Sequence, residues 1–157
     1  MSAPSSYDFT VPGTFPRSGR DLVGGVAYLG RAIDKVRADL AETVGEYIAA
    51  CPQSRRVYDL YGVGTDQFRE AVRTSATDED FLHSLTSIAP KHPDEAEVAR
   101  FNADMLTAGP GEAGPAWFKE TLAEIGKADR TDIRTFVDLQ DLEEGRDVPR
   151  TTASAIS

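Results

Sequence analysis

The chain has 157 residues, a length at which a single hydrophobic core is usual and no disulfide or metal staple is needed. Hydrophobic residues make up 40% of it and charged residues 27%, which excludes the compositions of disordered and collagen-like chains. Twenty-six acidic against seventeen basic side chains leave a net charge of -9, a field that disfavours nucleic acid and anionic membrane surfaces over most of the molecule.

The lone cysteine, Cys51, has no internal partner for a disulfide, so the composition predicts a reducing, cytoplasmic setting. No uninterrupted apolar run reaches spanning length, and the first residues, Met1 to Ser6, lack the basic start and apolar stretch of a signal peptide. These features predict a soluble protein without a membrane partner.

Residues 1–16 are rich in Ser, Pro and Gly and predict an extended arm. Ser18 with Asp21 has the spacing of a capping box and predicts a short helical turn before Gly24-Gly25. From Leu29 the apolar residues Leu29, Ile33, Val36, Leu40, Val44 and Tyr47 or Ile48 recur every three or four positions. That period predicts the longest helix, stopped by Cys51-Pro52 because proline cannot continue one.

Shorter helices follow. Ser54 is placed to cap a segment burying Val57, Leu60 and Tyr61, closed by Gly62, and Thr65 to cap another burying Phe68, Ala71 and Val72. Thr77 with Asp80 repeats the capping-box spacing ahead of an apolar stripe of Phe81, Leu82, Leu85 and Ile88. Pro93 suits a first helical position, with Val98, Phe101 and Met105 facing inward and an end near Ala108. The run from Gly109 to Pro115 holds three glycines and two prolines and reads as a connector. Beyond it, Trp117, Phe118, Leu122 and Ile125 predict a helix closed by Gly126, and Asp138 with Asp141 start a last one closed by Gly145. Thr135-Phe136-Val137 has strand character but is too short for a sheet. The expected fold is therefore all-α: a single-domain helical bundle of roughly seven helices over 17–149, with an arm before it and a flexible tail over 150–157.

Several segments in order carry a resemblance: Leu29-Gly30-Arg31-Ala32-Ile33-Asp34-Lys35, Gly45-Glu46-Tyr47, Cys51-Pro52, Ser75-Ala76-Thr77-Asp78-Glu79, and Val137 through Arg146. Over Pro16 to Pro149 the chain resembles an uncharacterised bacterial domain-of-unknown-function family, family 5069. Gly30 stands where the family's Leu-Pro-Arg pattern has proline. The resemblance implies a small, mostly helical bacterial protein and brings no activity, cofactor or catalytic residue with it.

Recognisable catalytic motifs are absent from the sequence: there is no phosphate-binding loop, dinucleotide fingerprint, His-Glu-x-x-His or calcium loop. His83 and His92 with one cysteine cannot complete a tetrahedral zinc site. His83 reads as an exposed neighbour of Leu82, His92 as a cap, and Cys51 as a structural residue at a helix end; a triad of Cys51, His83 and an acid has no support in the spacing.

Three constellations remain. Arg31, Asp34, Lys35 and Asp39 are spaced to form salt bridges on a solvated helix face, or alternatively to place Asp34 and Lys35 in a cleft for proton transfer or anion capture. Leu60-Tyr61-Gly62-Val63-Gly64 matches the hairpin of helix-hairpin-helix DNA-binding modules, with Arg55, Arg56, Arg69 and Arg73 nearby, although two glycines between helices also simply turn a chain. Asp138 and Asp141 could face one divalent ion, while carboxylates at a helix start also serve as caps. The leading expectation is a binding or interaction module that offers a groove edged by Arg31, Asp34, Lys35 and Tyr47 to a protein partner or a second copy. The alternatives are a small metabolic enzyme or ligand binder with a pocket around Asp34 and Lys35, walled by Tyr28 or Tyr47, and nucleic-acid binding at Gly62 to Gly64.

Overall fold

A computed structural model describes residues 7–111 and 115–150. Most of the predicted arm lies among these residues, but its first six positions, Glu112 to Gly114 of the connector, and the tail beyond 150 lie outside them. Seven α-helices occur among the described residues: α1 Leu29–Leu40, α2 Pro52–Tyr61, α3 Thr65–Arg73, α4 Asp78–Ile88, α5 Glu95–Thr107, α6 Ala116–Glu124 and α7 Phe136–Glu143. The fold is all-α, and the only strand-like pairing described is an isolated antiparallel bridge between Val23 and Val26. None of these helices is long and apolar enough to cross a membrane.

The chain forms two compact units, Met1–Met105 and Leu106–Ser157. In the first, α1 packs against α2 and α3, and α3 also packs against α4. Its core is continuous because the predicted stripes face one another: Ile33 and Val36 of α1, Val57 of α2, Phe68 and Val72 of α3, and Phe81 and Leu85 of α4 are all buried. An aromatic file runs through it, with ring centroids 4.3 Å apart for Tyr58 and Phe68 and 5.1 Å for Phe68 and Phe81. Truncating Phe68 to Ala would remove about 3–5 kcal/mol from this core. In the second unit Phe118, Leu122, Ile133, Leu139 and Leu142 form a smaller cluster covered by Ile125, Phe136 and Val148. Arg130 fastens its edge, donating to Asp132 Oδ1 at 2.9 Å and to the Val148 carbonyl at 2.8 Å.

Helix ends show where local chemistry was decisive. Gly62, Gly126 and Gly145 all have positive φ, and each sits just past a helix whose last carbonyls are taken up by crossed backbone bonds. For α2 these run from Gly62 N–H to the Asp59 carbonyl at 3.1 Å and from Val63 N–H to the Tyr58 carbonyl at 3.1 Å; this is the glycine-ended stop. The same pair of bonds closes α1, but with Glu42 in the left-handed position, φ 59°: Glu42 N–H reaches Asp39 O at 3.0 Å and Thr43 N–H reaches Ala38 O at 2.8 Å. Thus α1 ends at Leu40, well short of the predicted Cys51. The following turn is held by the arm, since Phe9 N–H donates to the Thr43 carbonyl at 2.9 Å and the Thr43 hydroxyl to the Tyr7 carbonyl at 2.8 Å.

Other differences are local. Ser18 to Asp21 forms a single turn, with Asp21 N–H on the Ser18 carbonyl, and it is Arg20 N–H that reaches Ser18 Oγ, both at 3.1 Å. Cys51, not Ser54, caps α2, with Pro52 at its first position. Gly64, not Thr65, precedes α3, its N–H satisfied by the Gln67 side chain at 2.9 Å. Asp94 exchanges cap bonds with Glu97 ahead of α5, placing Pro93 just outside the helix. Thr135, not Asp138, caps α7: its Oγ1 accepts from Asp138 N–H at 3.1 Å. Ile88 is 42% exposed rather than part of the α4 stripe.

Candidate functional site

The charged residues of α1 do not form a solvated face. Arg31, Asp34 and Lys35 are buried, at 2%, 0% and 3% exposure, and each has a partner distant in sequence. Asp39 is the exception in being half-exposed, and it pairs with Arg69 of α3.

Asp34 is clamped by Arg17. Its Oδ2 accepts the Arg17 backbone N–H at 2.8 Å and Nε at 3.0 Å, and its Oδ1 accepts Nη2 at 3.0 Å. The guanidinium also reaches both carboxylate oxygens of Asp78 at the start of α4, at 2.7 and 3.0 Å. Burial pushes the Asp34 carboxyl above its ordinary range against the pull of Arg17, while Arg17 holds the more open Asp78 carboxyl below it. Arg17 thereby staples the arm, α1 and α4. Arg31 donates to the Arg17 carbonyl at 3.2 Å and lies over the Tyr47 ring, 5.5 Å from its centroid. Tyr47 in turn meets Phe9 edge to face at 5.6 Å.

Lys35 points elsewhere. Its Nζ is 3.0 Å from Cys51 Sγ and 3.4 Å from the Tyr28 hydroxyl, which is itself 3.5 Å from the sulfur. The sulfur sits at the N-terminus of α2, where it accepts the Ser54 N–H at 3.4 Å and lies 3.5 Å from Ser54 Oγ. Burial alone would push this thiol up. The Lys35 charge, with hydrogen bonds from Ser54 and Tyr28, outweighs burial and brings it down to about 6. The positive end of the α2 dipole acts in the same direction. Tyr28 is pushed up by its own burial and further by Cys51, so it stays a neutral hydroxyl. Its backbone is left-handed, φ 70°, at the residue leading into α1, an unfavourable conformation for a bulky side chain that holds its ring under Lys35.

The arrangement is thus a half-buried thiol kept as thiolate near neutrality, gripped by a buried ammonium and flanked by two hydroxyls. A separate cavity of about 350 Å³, lined by Pro52, Arg55, Arg56, Asp59, Gly64 and Thr65, among others, lies along α2 and the turn into α3 and takes in no residue of the thiol cluster. Gly62-Val63-Gly64 joins α2 to α3, with Val63 buried. The Gly64 N–H is already occupied by Gln67, and Arg69 and Arg73 are paired with Asp39 and Glu70. In the second unit Asp141 and Glu144 face Arg146, and no group of three or more candidate metal ligands gathers among the described residues.

Of the sequence-derived candidates, Arg31 and Tyr47 are brought together, Lys35 joins Cys51, and Asp34 is separated from Lys35 by its clamp on Arg17. Sequence reasoning missed Cys51 as the centre and Arg17 as the staple. A cysteine directly before a proline that opens a helix was the available signal, because that position aims the sulfur at free N–H groups.

A family model described as a domain of unknown function, DUF5069, matches residues 13–146. The chain belongs to this family. The match takes in every residue of the Cys51 cluster and of the Arg17 clamp. No curated protein matches the chain.

Proposed function

We propose that this DUF5069 protein is a small thiol-dependent enzyme of the cytoplasm, with the Cys51 thiolate as nucleophile toward a small electrophilic substrate. The observation that carries the reading is the 3.0 Å approach of the Lys35 ammonium to Cys51 Sγ at a helix N-terminus. In this role the sulfur lone pair forms a bond to an electrophilic carbon and the displaced electron pair moves to the attached oxygen, toward which Lys35 or the neutral Tyr28 hydroxyl can donate. Arg55, exposed on the first turn of α2 just after the Cys51 cap, offers an anionic end of the substrate a partner. A reducing compartment keeps the single cysteine in its working state.

The interaction-module reading has less support, because Arg31 and Asp34 are enclosed by this chain's own residues and cannot edge an open groove. Nucleic-acid binding at the hairpin is weakened by the occupied Gly64 N–H and by the net charge of -9.

The test is covalent capture. Purified protein is incubated with a panel of small thioesters, activated esters and enones, and adducts are located by mass spectrometry. Adducts confined to Cys51, with turnover lost in Cys51→Ser, are expected. A thiol that alkylates with iodoacetamide only above pH 8 would remove the basis for the proposal.

A further inference from the structure

Cys51 is the chain's one cysteine, so an oxidised Cys51 has no second thiol in the molecule to resolve it. What stands in the place of a resolving thiol is a nitrogen. Lys35 Nζ, on a side chain 97% buried by its 3% exposure, is 3.0 Å from the sulfur, closer than the Ser54 N–H at 3.4 Å and the two hydroxyls at 3.5 Å. Cys51 is a half-buried residue and not part of the closed core, which leaves room for a reagent as small as hydrogen peroxide to approach it. The lysine stem has four flexible methylenes and needs no backbone movement to close a contact already at hydrogen-bond distance.

We propose that Cys51 is a peroxide-oxidation site at which Lys35 is the resolving group, the two side chains joining through a sulfur–nitrogen bond. This inference rests on the reading of Cys51 as a reactive thiolate. In the first step the thiolate sulfur attacks one peroxide oxygen. An S–O bond forms, the O–O bond breaks, the sulfur is oxidised to a sulfenic acid, and the other oxygen leaves as hydroxide. That hydroxide takes a proton from the Lys35 ammonium and becomes water. The free amine then attacks the sulfenic sulfur: an S–N bond forms, the S–O bond breaks, and the departing oxygen leaves as water with the amine proton. The sum is one thiolate, one ammonium and one peroxide giving a sulfenamide and two waters, with no further oxidant. Condensation of this kind with a nitrogen protects sulfur from the irreversible sulfinic state. A small thiol reverses it by attacking the sulfur, releasing the Lys35 amine and leaving a mixed disulfide that a second thiol reduces.

The experiment uses the full chain treated with one equivalent of hydrogen peroxide, then digested with trypsin. The expected product is the peptide Ala32 to Arg37, uncut at Lys35, joined to Ala38 to Arg55 with the loss of two hydrogens, and separated again by dithiothreitol. In Lys35→Arg, which keeps a cation there but does not condense in this way, a dimedone-reactive sulfenic acid is expected to persist instead. Kinetics in the wild type cover the case in which the variant misfolds: dimedone added at intervals after peroxide should capture less and less Cys51 as the joined peptide grows. Stable sulfenic or sulfinic Cys51 in the wild type without joined peptides would overturn this inference. Iodoacetamide labelling of untreated protein runs alongside. Fast labelling at neutral pH with no joined peptide removes the Lys35 step alone, whereas slow labelling removes the reactive thiolate as well.

Discussion

Arg17 meets Asp34 through both its backbone N–H and its guanidinium, so that the fully buried carboxylate of α1 is clamped by the single residue that directly follows the arm. Removing one side of such a pair leaves the other buried and uncompensated, which costs far more than the pair's net worth. Asp34→Ala is expected to destabilise the protein by about 3–5 kcal/mol. Asp78→Asn, which touches the same guanidinium from a position 27% exposed, should cost about 1 kcal/mol, since exposed partners are worth little. Urea unfolding of the two variants checks the ranking. Equal losses would mean that Asp34 is not the member carrying the clamp.

The thiol makes stability depend on pH. Folded Cys51 titrates at about 6 against an ordinary value of 9.0, so between those values the unfolded chain holds a proton that the native chain does not. Stability then rises with pH across this window, and the contribution is lost as pH falls through 6. The full swing is at most about 4 kcal/mol. Melting temperatures taken from pH 5.5 to 8.5 should climb more steeply in the wild type than in Cys51→Ser. Parallel curves would show that the folded thiol titrates normally.

Lys35 is the principal cause of that depression, and Lys35→Met tests it because the unbranched apolar side chain fills a similar volume. Without the ammonium, burial is unopposed by its main counterweight, and the thiol should move up toward or past its ordinary value. At pH 7 a thiol titrating at about 6 is roughly nine-tenths thiolate, whereas one at 9 is about one per cent. The rate of iodoacetamide alkylation at pH 7 should therefore fall by at least tenfold, with the pH midpoint displaced upward. Tyr28→Phe, which removes a weaker donor at 3.5 Å, should shift the midpoint in the same direction by less. An unchanged midpoint in Lys35→Met would assign the depression to the helix end instead.

How far the site could be seen in the sequence follows from which contacts are local. Thr77 and its reach to Asp80 were legible because both lie in one helical turn, and the bond is present at 3.1 Å. The apolar stripes of α1, α3 and α4 were legible from their period. Arg17 with Asp34 and Lys35 with Cys51 were not, since their separations of 17 and 16 residues are closed only by the folded arm and by the turn between α1 and α2. The burial of Arg31, Asp34 and Lys35 was equally hidden: spacing along a helix gives neighbours on a face but does not say what covers that face. Family membership, by contrast, was carried by short segments in order and needed no contact.

The end of α1 is the element whose misreading has a direct test. Periodicity carried the predicted helix through Val44 and Tyr47 because no glycine interrupts the chain at the true stop; Glu42 occupies the left-handed position that glycine fills after α2, α6 and α7. A non-glycine residue there is strained by about 1 kcal/mol. Glu42 is exposed, so Glu42→Gly should relieve that strain without losing packing and raise stability by up to about 1 kcal/mol. Three residues on, Gly45 has φ 64° and a Cβ added there would lie 3.0 Å from the Phe9 carbonyl oxygen. Gly45→Ala should therefore lower stability by about 1–2 kcal/mol. Because this turn positions Tyr47 and leads into Cys51, the alanine variant should also slow Cys51 alkylation if it disturbs the approach to Lys35, whereas Glu42→Gly should leave alkylation unchanged. Chemical denaturation with parallel iodoacetamide kinetics distinguishes the two substitutions. A stabilising Gly45→Ala or a destabilising Glu42→Gly would place the stop of α1 elsewhere.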